Sequence, residues 1–94
     1  MSVEDDESTR VYASPDGEFR TADGREYKLR AQGVLLYGGP SEEQVQQLLP
    51  LGGDQYYDRH ARERLSVVRD DAGNVKAIRG QRKATTRIYY RREG

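Results

Sequence analysis

Cysteine is absent from the chain and histidine occurs once, at position 60. The first absence excludes a disulfide framework, a thiolate nucleophile and any cysteine-based metal centre. The second excludes a two-histidine metal site and makes any acid/base role of His60 depend on carboxylates from distant loops, so a surface histidine is expected. No run of about 18 apolar residues occurs, as a membrane-crossing helix would need. Residues 1–7 carry neither the basic nor the apolar region of a secretory leader. The sequence as it stands predicts no membrane partner. No serine occupies a Ser-x-x-Lys or nucleophile-elbow arrangement, so acyl transfer has no carrier. The glycine pairs Gly38-Gly39 and Gly52-Gly53 lack the Gly-Lys-Ser/Thr that grips phosphate and magnesium. Asp70-Asp71-Ala72-Gly73-Asn74 lacks the alternating acids and final glutamate of a calcium loop and reads as a hairpin connection. No cofactor, no metal and no enzymatic activity are expected.

What remains is a chain of 94 residues, 34% hydrophobic and 34% charged, with seven tyrosines and no tryptophan. A chain of this length supports one modest core. Rings that are apolar along the body and wet at the tip suit a sheet with one partly exposed face. The net charge is zero but unevenly placed. Residues 1–58 hold 5 basic against 12 acidic side chains, and residues 59–94 hold 11 against 4. Either complementary strands of the two halves pair and neutralise each other, or the second half presents a basic patch to an anionic partner.

Residues 1–14 carry four consecutive acids and almost no large apolar side chains, and read as a disordered acidic tail ahead of a single β-rich domain over residues 15–94. From Glu18 onward, short extended runs alternate with glycine turns, the spacing of all-β domains. Glu18-Phe19-Arg20 and Tyr27-Lys28-Leu29-Arg30 flank Asp23-Gly24, which predicts a hairpin with Phe19, Tyr27 and Leu29 on its buried face. A tight turn at Gln32-Gly33 leads into Val34-Leu35-Leu36-Tyr37, an apolar run expected deeper in the sheet and stopped by Gly38-Gly39-Pro40, completing a three-stranded meander. Ser41-Glu42-Glu43-Gln44 has the form of a capping box, with Val45, Leu48 and Leu49 at helical spacing. The alternation there fits a strand as well, so residues 41–49 stay open between helix and strand.

Pro50-Leu51-Gly52-Gly53-Asp54 reads as a turn, Gln55-Tyr56-Tyr57 as a strand, and residues 58–63 as a polar loop. Leu65-Ser66-Val67-Val68 and Val75-Lys76-Ala77-Ile78 form the next hairpin. Gly80-Gln81-Arg82-Lys83 is expected to turn the chain into a last strand over residues 84–90. Six to eight strands result. The fold class is all-β and mainly antiparallel: a small up-and-down barrel or a strongly curved meander sheet, with at most one short helix.

Gly24-x-x-Tyr27, Leu35-x-Tyr37, Leu49-Pro50-Leu51-Gly52-Gly53-Asp54-x-Tyr56-Tyr57, Arg64-Leu65-x-Val67-Val68-Arg69-Asp70 and Asp71-Ala72-Gly73-Asn74-Val75 form one ordered pattern over roughly residues 17–88. It resembles the lipocalin-like domain of unknown function appended C-terminally to serine hydrolases of the class C β-lactamase and penicillin-binding type. Tyr12 and Gly17 echo that family's tyrosine-glycine-tyrosine opening. The resemblance implies a small antiparallel barrel that packs against, or assembles, a hydrolase whose catalytic serine and lysine lie in another domain.

The function expected is therefore non-catalytic binding or assembly, with Tyr27, Tyr37, Tyr56 and Tyr57 lining the site. The partner expected is a protein or a second copy, with a small hydrophobic ligand or a peptide as further candidates. Two alternatives stand beside it. The segment containing Arg82, Lys83, Arg87, Tyr89, Arg91 and Arg92 has arginines for phosphate and tyrosines for base stacking, although zero net charge weighs against a nucleic acid. Alternation puts Arg87 and Tyr89 on one face and Ile88 and Tyr90 on the other, so one of these rings should be core. A small inhibitor or accessory protein that adds a strand to its target is equally compatible with short strands.

Overall fold

A computed structural model describes residues 14–92. Apart from Ser14, the expected acidic tail lies outside the described residues, as does Tyr12. The chain is all-β. Nine strands follow one another: β1 (Gly17–Arg20), β2 (Glu26–Gln32), β3 (Leu35–Gly39), β4 (Gln46–Gln47), β5 (Leu49–Gly52), β6 (Gln55–Asp58), β7 (Glu63–Arg69), β8 (Val75–Arg82) and β9 (Thr85–Arg91). They form a single antiparallel sheet in the order β4-β3-β2-β1-β9-β8-β7-β6-β5.

The two edges of that sheet, β4 and β5, are separated only by Leu48, so the chain itself steps from one edge to the other. Leu48 N–H still donates to the Leu36 carbonyl at 2.8 Å, and Leu49 already pairs with Tyr57 of β6. The bent segment 46–52 thus serves as one stave bonded to β3 by its first half and to β6 by its second. The remaining seam is β1 against β9, with Phe19 opposite Arg91 and Arg20 opposite Tyr90. The result is a nearly closed up-and-down barrel, which removes free edges that would otherwise invite pairing with other chains.

A barrel of about eight staves has an interior just wide enough to be filled by side chains. Alternation assigns them. Phe19, Tyr27, Leu29, Leu36, Leu48, Leu65, Val75, Ile78 and Tyr89 make the buried cluster, with Tyr56 and Val67 packed against it. The first hairpin is as expected, with Phe19, Tyr27 and Leu29 on its inner face. Gly24 and Gly33 take the positive φ angles, 96° and 60°, that their turns require. Tyr89 is buried and Tyr90 is 55% exposed, which meets the expectation that one ring of the pair is core.

Several local expectations are corrected. Val34 is 99% exposed, because Gln32 pairs with Leu35 and leaves Gly33 and Val34 as the tip of a two-residue turn. Residues 41–49 hold no α-helix: a single 3₁₀ turn spans Glu42–Gln44, and Ser41 makes no side-chain capping bond. The chain then extends into β4 and β5, so most of the turn expected at residues 50–54 is strand. Asp58 and Glu63, expected in a polar loop, end β6 and begin β7 and are buried.

Gly38, Gly39 and Gly80 do not break their strands. They provide clearance. A Cβ at Gly38 would stand 2.5 Å from the Tyr27 hydroxyl oxygen, one at Gly39 would collide with the Gln44 carbonyl, and one at Gly80 would collide with Glu63 Oε2. The turn expected at residues 80–83 moves to Lys83–Ala84, where Arg82 pairs with Thr85 and Lys83 takes φ 54°.

The clearance at Gly80 is testable. Gly80→Ala is expected to destabilise the fold by about 1–3 kcal/mol, the usual cost of overpacking, and to cost much less in a Glu63→Ala background. Chemical denaturation of the four members of this double-mutant cycle measures the coupling. Additivity within about 0.5 kcal/mol would show that Gly80 does not make room for Glu63.

Candidate functional site

One end of the barrel is polar. Along the inner face of β9, Arg87, Tyr89 and Arg91 follow at alternate positions. Arg91 closes one end: its guanidinium lies 5.9 Å from the centroid of the Phe19 ring and donates to the carbonyls of Val75 at 3.3 Å and Asp16 at 3.2 Å. At the other end, Arg87 and Tyr89 border a cavity of about 180 Å³ whose wall includes Tyr27, Gly38, Asp58 and Glu63, with Arg25 and Arg82 at its mouth.

Asp58 and Glu63 come together because they face each other across the β6–β7 hairpin. Parity puts both inside: Asp58 follows Tyr56 by two residues, and Glu63 precedes Leu65 by two. Their surroundings differ. Asp58 is fully engaged, with Oδ2 accepting the Tyr27 hydroxyl at 2.6 Å and Oδ1 accepting the backbone N–H groups of His60 and Ala61, both at 3.0 Å. It therefore ties the hairpin turn to the opposite wall. Glu63 is held loosely. The Tyr89 hydroxyl reaches its two oxygens at 3.4 Å each, and Arg87 Nη1 stands 4.0 Å from Oε2.

Electrostatics follow from burial. Removal from water raises the Glu63 carboxyl above its ordinary value of 4.5, and the nearby Arg87 and the Tyr89 bond only partly offset this. Desolvation likewise pushes the Tyr27 phenol upward, and the bond to Asp58 adds to the shift. Tyr89 is raised by the same burial and by the charge of Glu63. Both phenols therefore stay protonated and act as donors. The two rings pack with centroids 5.4 Å apart at 48°, which aims one hydroxyl at each carboxylate.

Of the tyrosines expected to line a site, only Tyr27 reaches this cavity. Tyr56 packs inward against the core, half-buried. Tyr37 and Tyr57 lie on the outer wall, where they pair with Gln47 and Leu49 on the bent stave. The structure does not bring the four together. The basic C-terminal segment is also divided, because alternate residues of one strand face opposite ways. Arg87, Tyr89 and Arg91 face the interior, and Arg82 borders the cavity mouth. Lys83 sits in the β8–β9 turn, and Arg92 is paired with Glu18 and Glu26. His60 is exposed. Among the described residues, no group of three His, Cys, Asp or Glu side chains is placed to hold a metal ion, and no helix is long and apolar enough to cross a membrane.

Sequence reasoning missed Asp58 and Glu63. The available signal was the parity that ties each to an apolar neighbour two positions away, and it was masked by the polar composition of residues 58–63. No protein family, curated protein or solved structure matches this chain.

The raised carboxyl of Glu63 predicts a pH dependence. Below its ordinary value the group is protonated in folded and unfolded chains alike and has no differential effect. As pH rises, the unfolded chain ionises first, so stability falls until the folded group ionises as well, and the deficit then stays constant. The melting temperature of Glu63→Gln relative to the parent is expected to climb from about pH 4 upward and then level off. A flat difference would show that Arg87 and the Tyr89 bond balance burial, and one that falls with pH that they outweigh it.

Proposed function

We propose that this chain is a non-catalytic binding module of lipocalin-like type that takes a compact zwitterion into the polar end of its barrel. The observation that carries the reading is Glu63: a buried carboxylate that opens on a cavity and has only long contacts of 3.4 and 4.0 Å. A buried acceptor with spare lone pairs gains most from a well-placed donor, because bonds to charged groups contribute about 1.5–3 kcal/mol. An ammonium or guanidinium group satisfies it. Arg25 and Arg82 stand at the mouth with no carboxylate at ion-pair distance among the described residues, and they suit the acidic end of the same molecule.

Size narrows the class. Pockets for drug-sized ligands run to about 300–1,000 Å³, whereas this cavity is about 180 Å³, so the ligand is of amino-acid size. Phe19, Leu29, Leu48, Leu65 and Ile78 occupy the barrel interior, so the reading places the ligand at the barrel's end rather than at its centre.

A second reading, assembly with a protein partner or with a second copy, is favoured by a different observation. Leu35, Leu49 and Leu51 are 40%, 40% and 46% exposed, and Leu49 pairs with outward-facing Tyr57 on the bent stave. Neighbouring exposed apolar side chains of this kind mark interaction surfaces. The lipocalin-like resemblance would make an adjoining hydrolase domain the partner.

Two experiments test these readings. In an amide-resolved NMR titration, γ-aminobutyrate or glycine is expected to shift Tyr27, Glu63, Gly80 and Arg87 more than butylammonium or butyrate does. Glu63→Gln is expected to weaken binding at least about tenfold. Absence of shifts across this panel, or indifference to Glu63→Gln, would refute the zwitterion reading. Native mass spectrometry addresses assembly. An oligomer that Leu49→Lys returns to monomer supports it, and a monomeric parent chain at high concentration removes self-association.

A further inference from the structure

The charge imbalance of the sequence becomes a spatial one in the barrel. Strands β6–β9 contain two acidic residues, Asp58 and Glu63, and both are buried on the inner side. The outer side of these four consecutive strands therefore carries no carboxylate. Cross-strand pairing arranges it in rows: Tyr57, Arg64, Gln81 and Thr86, then Gln55, Ser66, Arg79 and Ile88, then Val68, Ala77 and Tyr90. Arg62 in the β6–β7 turn and Lys83 in the β8–β9 turn join Tyr57, Arg64 and Gln81 around one shallow cleft.

These cations are not consumed by the fold. The ion pairs of the opposite wall join Lys28, Arg30 and Arg92 to Glu18, Glu26 and Glu42. Arg69 pairs with Asp54 and Arg87 with Glu63. None of Arg62, Arg64, Arg79 and Lys83 has a carboxylate at ion-pair distance among the described residues. Zero net charge does not cancel such a surface, because at physiological ionic strength a charge is felt over only about 8 Å: Asp70 and Asp71 sit in the β7–β8 turn, at the end of these strands away from Arg62 and Lys83, Asp54 is paired with Arg69, and Glu18 and Glu26 across the β1–β9 seam are paired with Lys28, Arg30 and Arg92.

We infer that the outer wall of β6–β9 is a binding surface for single-stranded nucleic acid. Arg62, Arg64 and Lys83 around the cleft and Arg79 further along the wall each meet one phosphate of the backbone, and Tyr90 offers an exposed ring for base stacking. The wall is open and shallow, with aromatic and aliphatic surface interspersed among the cations. That suits a strand laid across it better than one isolated phosphorylated side chain, and among the described residues no α-helix or protruding ribbon projects from this wall to enter a duplex groove. The surface is independent of the end cavity.

The test is fluorescence anisotropy with a labelled twelve-residue oligothymidylate. If four cations each neutralise one phosphate, the slope of log K against log salt is about −2.8, and binding weakens about 50-fold between 50 and 200 mM salt. The double variant Arg64→Gln/Arg79→Gln is expected to bind more weakly, with the slope halved to about −1.4 and the salt effect reduced to about sevenfold. Tyr90→Leu is expected to weaken binding at least about fivefold. Arg92→Gln, which alters a cation already paired with Glu18, is expected to change binding little. Circular dichroism and melting confirm that each variant is folded. The inference is overturned by salt-independent binding or by no binding at 50 mM salt. It is also overturned if Arg92→Gln acts as strongly as the double variant. Heparin or duplex DNA binding as tightly as the oligonucleotide, with Tyr90→Leu without effect, would identify a generic polyanion surface and refute recognition of single strands.

Discussion

Asp58 and Glu63 face each other across a short hairpin, and the strand pleat turns both carboxylates into the barrel. A buried carboxylate is tolerated only with donors around it. The tyrosines of two other strands, Tyr27 on β2 and Tyr89 on β9, supply hydroxyls that reach from the far walls. Room must also be left, and the backbone provides it: Gly38 clears the Tyr27 hydroxyl and Gly80 clears Glu63 Oε2. Four positions on four other strands are thus set by one pair of acids. The polar end of the barrel, its cavity and the interruption of the hydrophobic core all follow from that pair.

The two acids are not equivalent, and the difference separates structure from function. Asp58 spends both oxygens on the fold, one on Tyr27 and one on two backbone amides of its own turn. Glu63 starts a strand and has no such local use, and its contacts are long. A side chain that is buried, roomy and weakly bonded is where a ligand gains most, which is why the proposed binding site centres on Glu63 rather than on Asp58.

Turning the acids of β6 and β7 inward also leaves the outer wall without negative charge. The same chain therefore presents an acid-bearing wall, neutralised internally by Lys28, Arg30 and Arg92, and a cationic wall on β6–β9. Neutralisation between the halves of the sequence happens mainly at the β1–β9 seam, where Arg92 meets Glu18 and Glu26. Asp54 with Arg69 is a second such pair, and the remaining ion pairs of the first half join Glu18, Glu26 and Glu42 to its own Lys28 and Arg30. The imbalance visible along the sequence is folded into two faces and is not cancelled.

Much of the architecture was written locally. Asp23-Gly24, Gly33 and Asp70–Asn74 mark their turns through the backbone angles they permit, and Phe19, Tyr27 and Leu29 declare an inner face by simple alternation. Residues 1–58 and 59–94 announce their opposite charge without any structure. What the sequence could not decide were the positions whose meaning depends on a distant neighbour. Glycine within a run reads as a turn until Glu63 is seen to need the space above Gly80. Tyr37 and Tyr57 read as facing one site together with Tyr27 and Tyr56 until closure of the barrel turns them outward. The basic C-terminus reads as one patch until the pleat sends Arg87 and Arg91 inside. Local conformational preference belongs to a few adjacent residues and is legible in them. Clearance, facing and burial are properties of strands brought together from far apart in the chain, and only the closed sheet settles them.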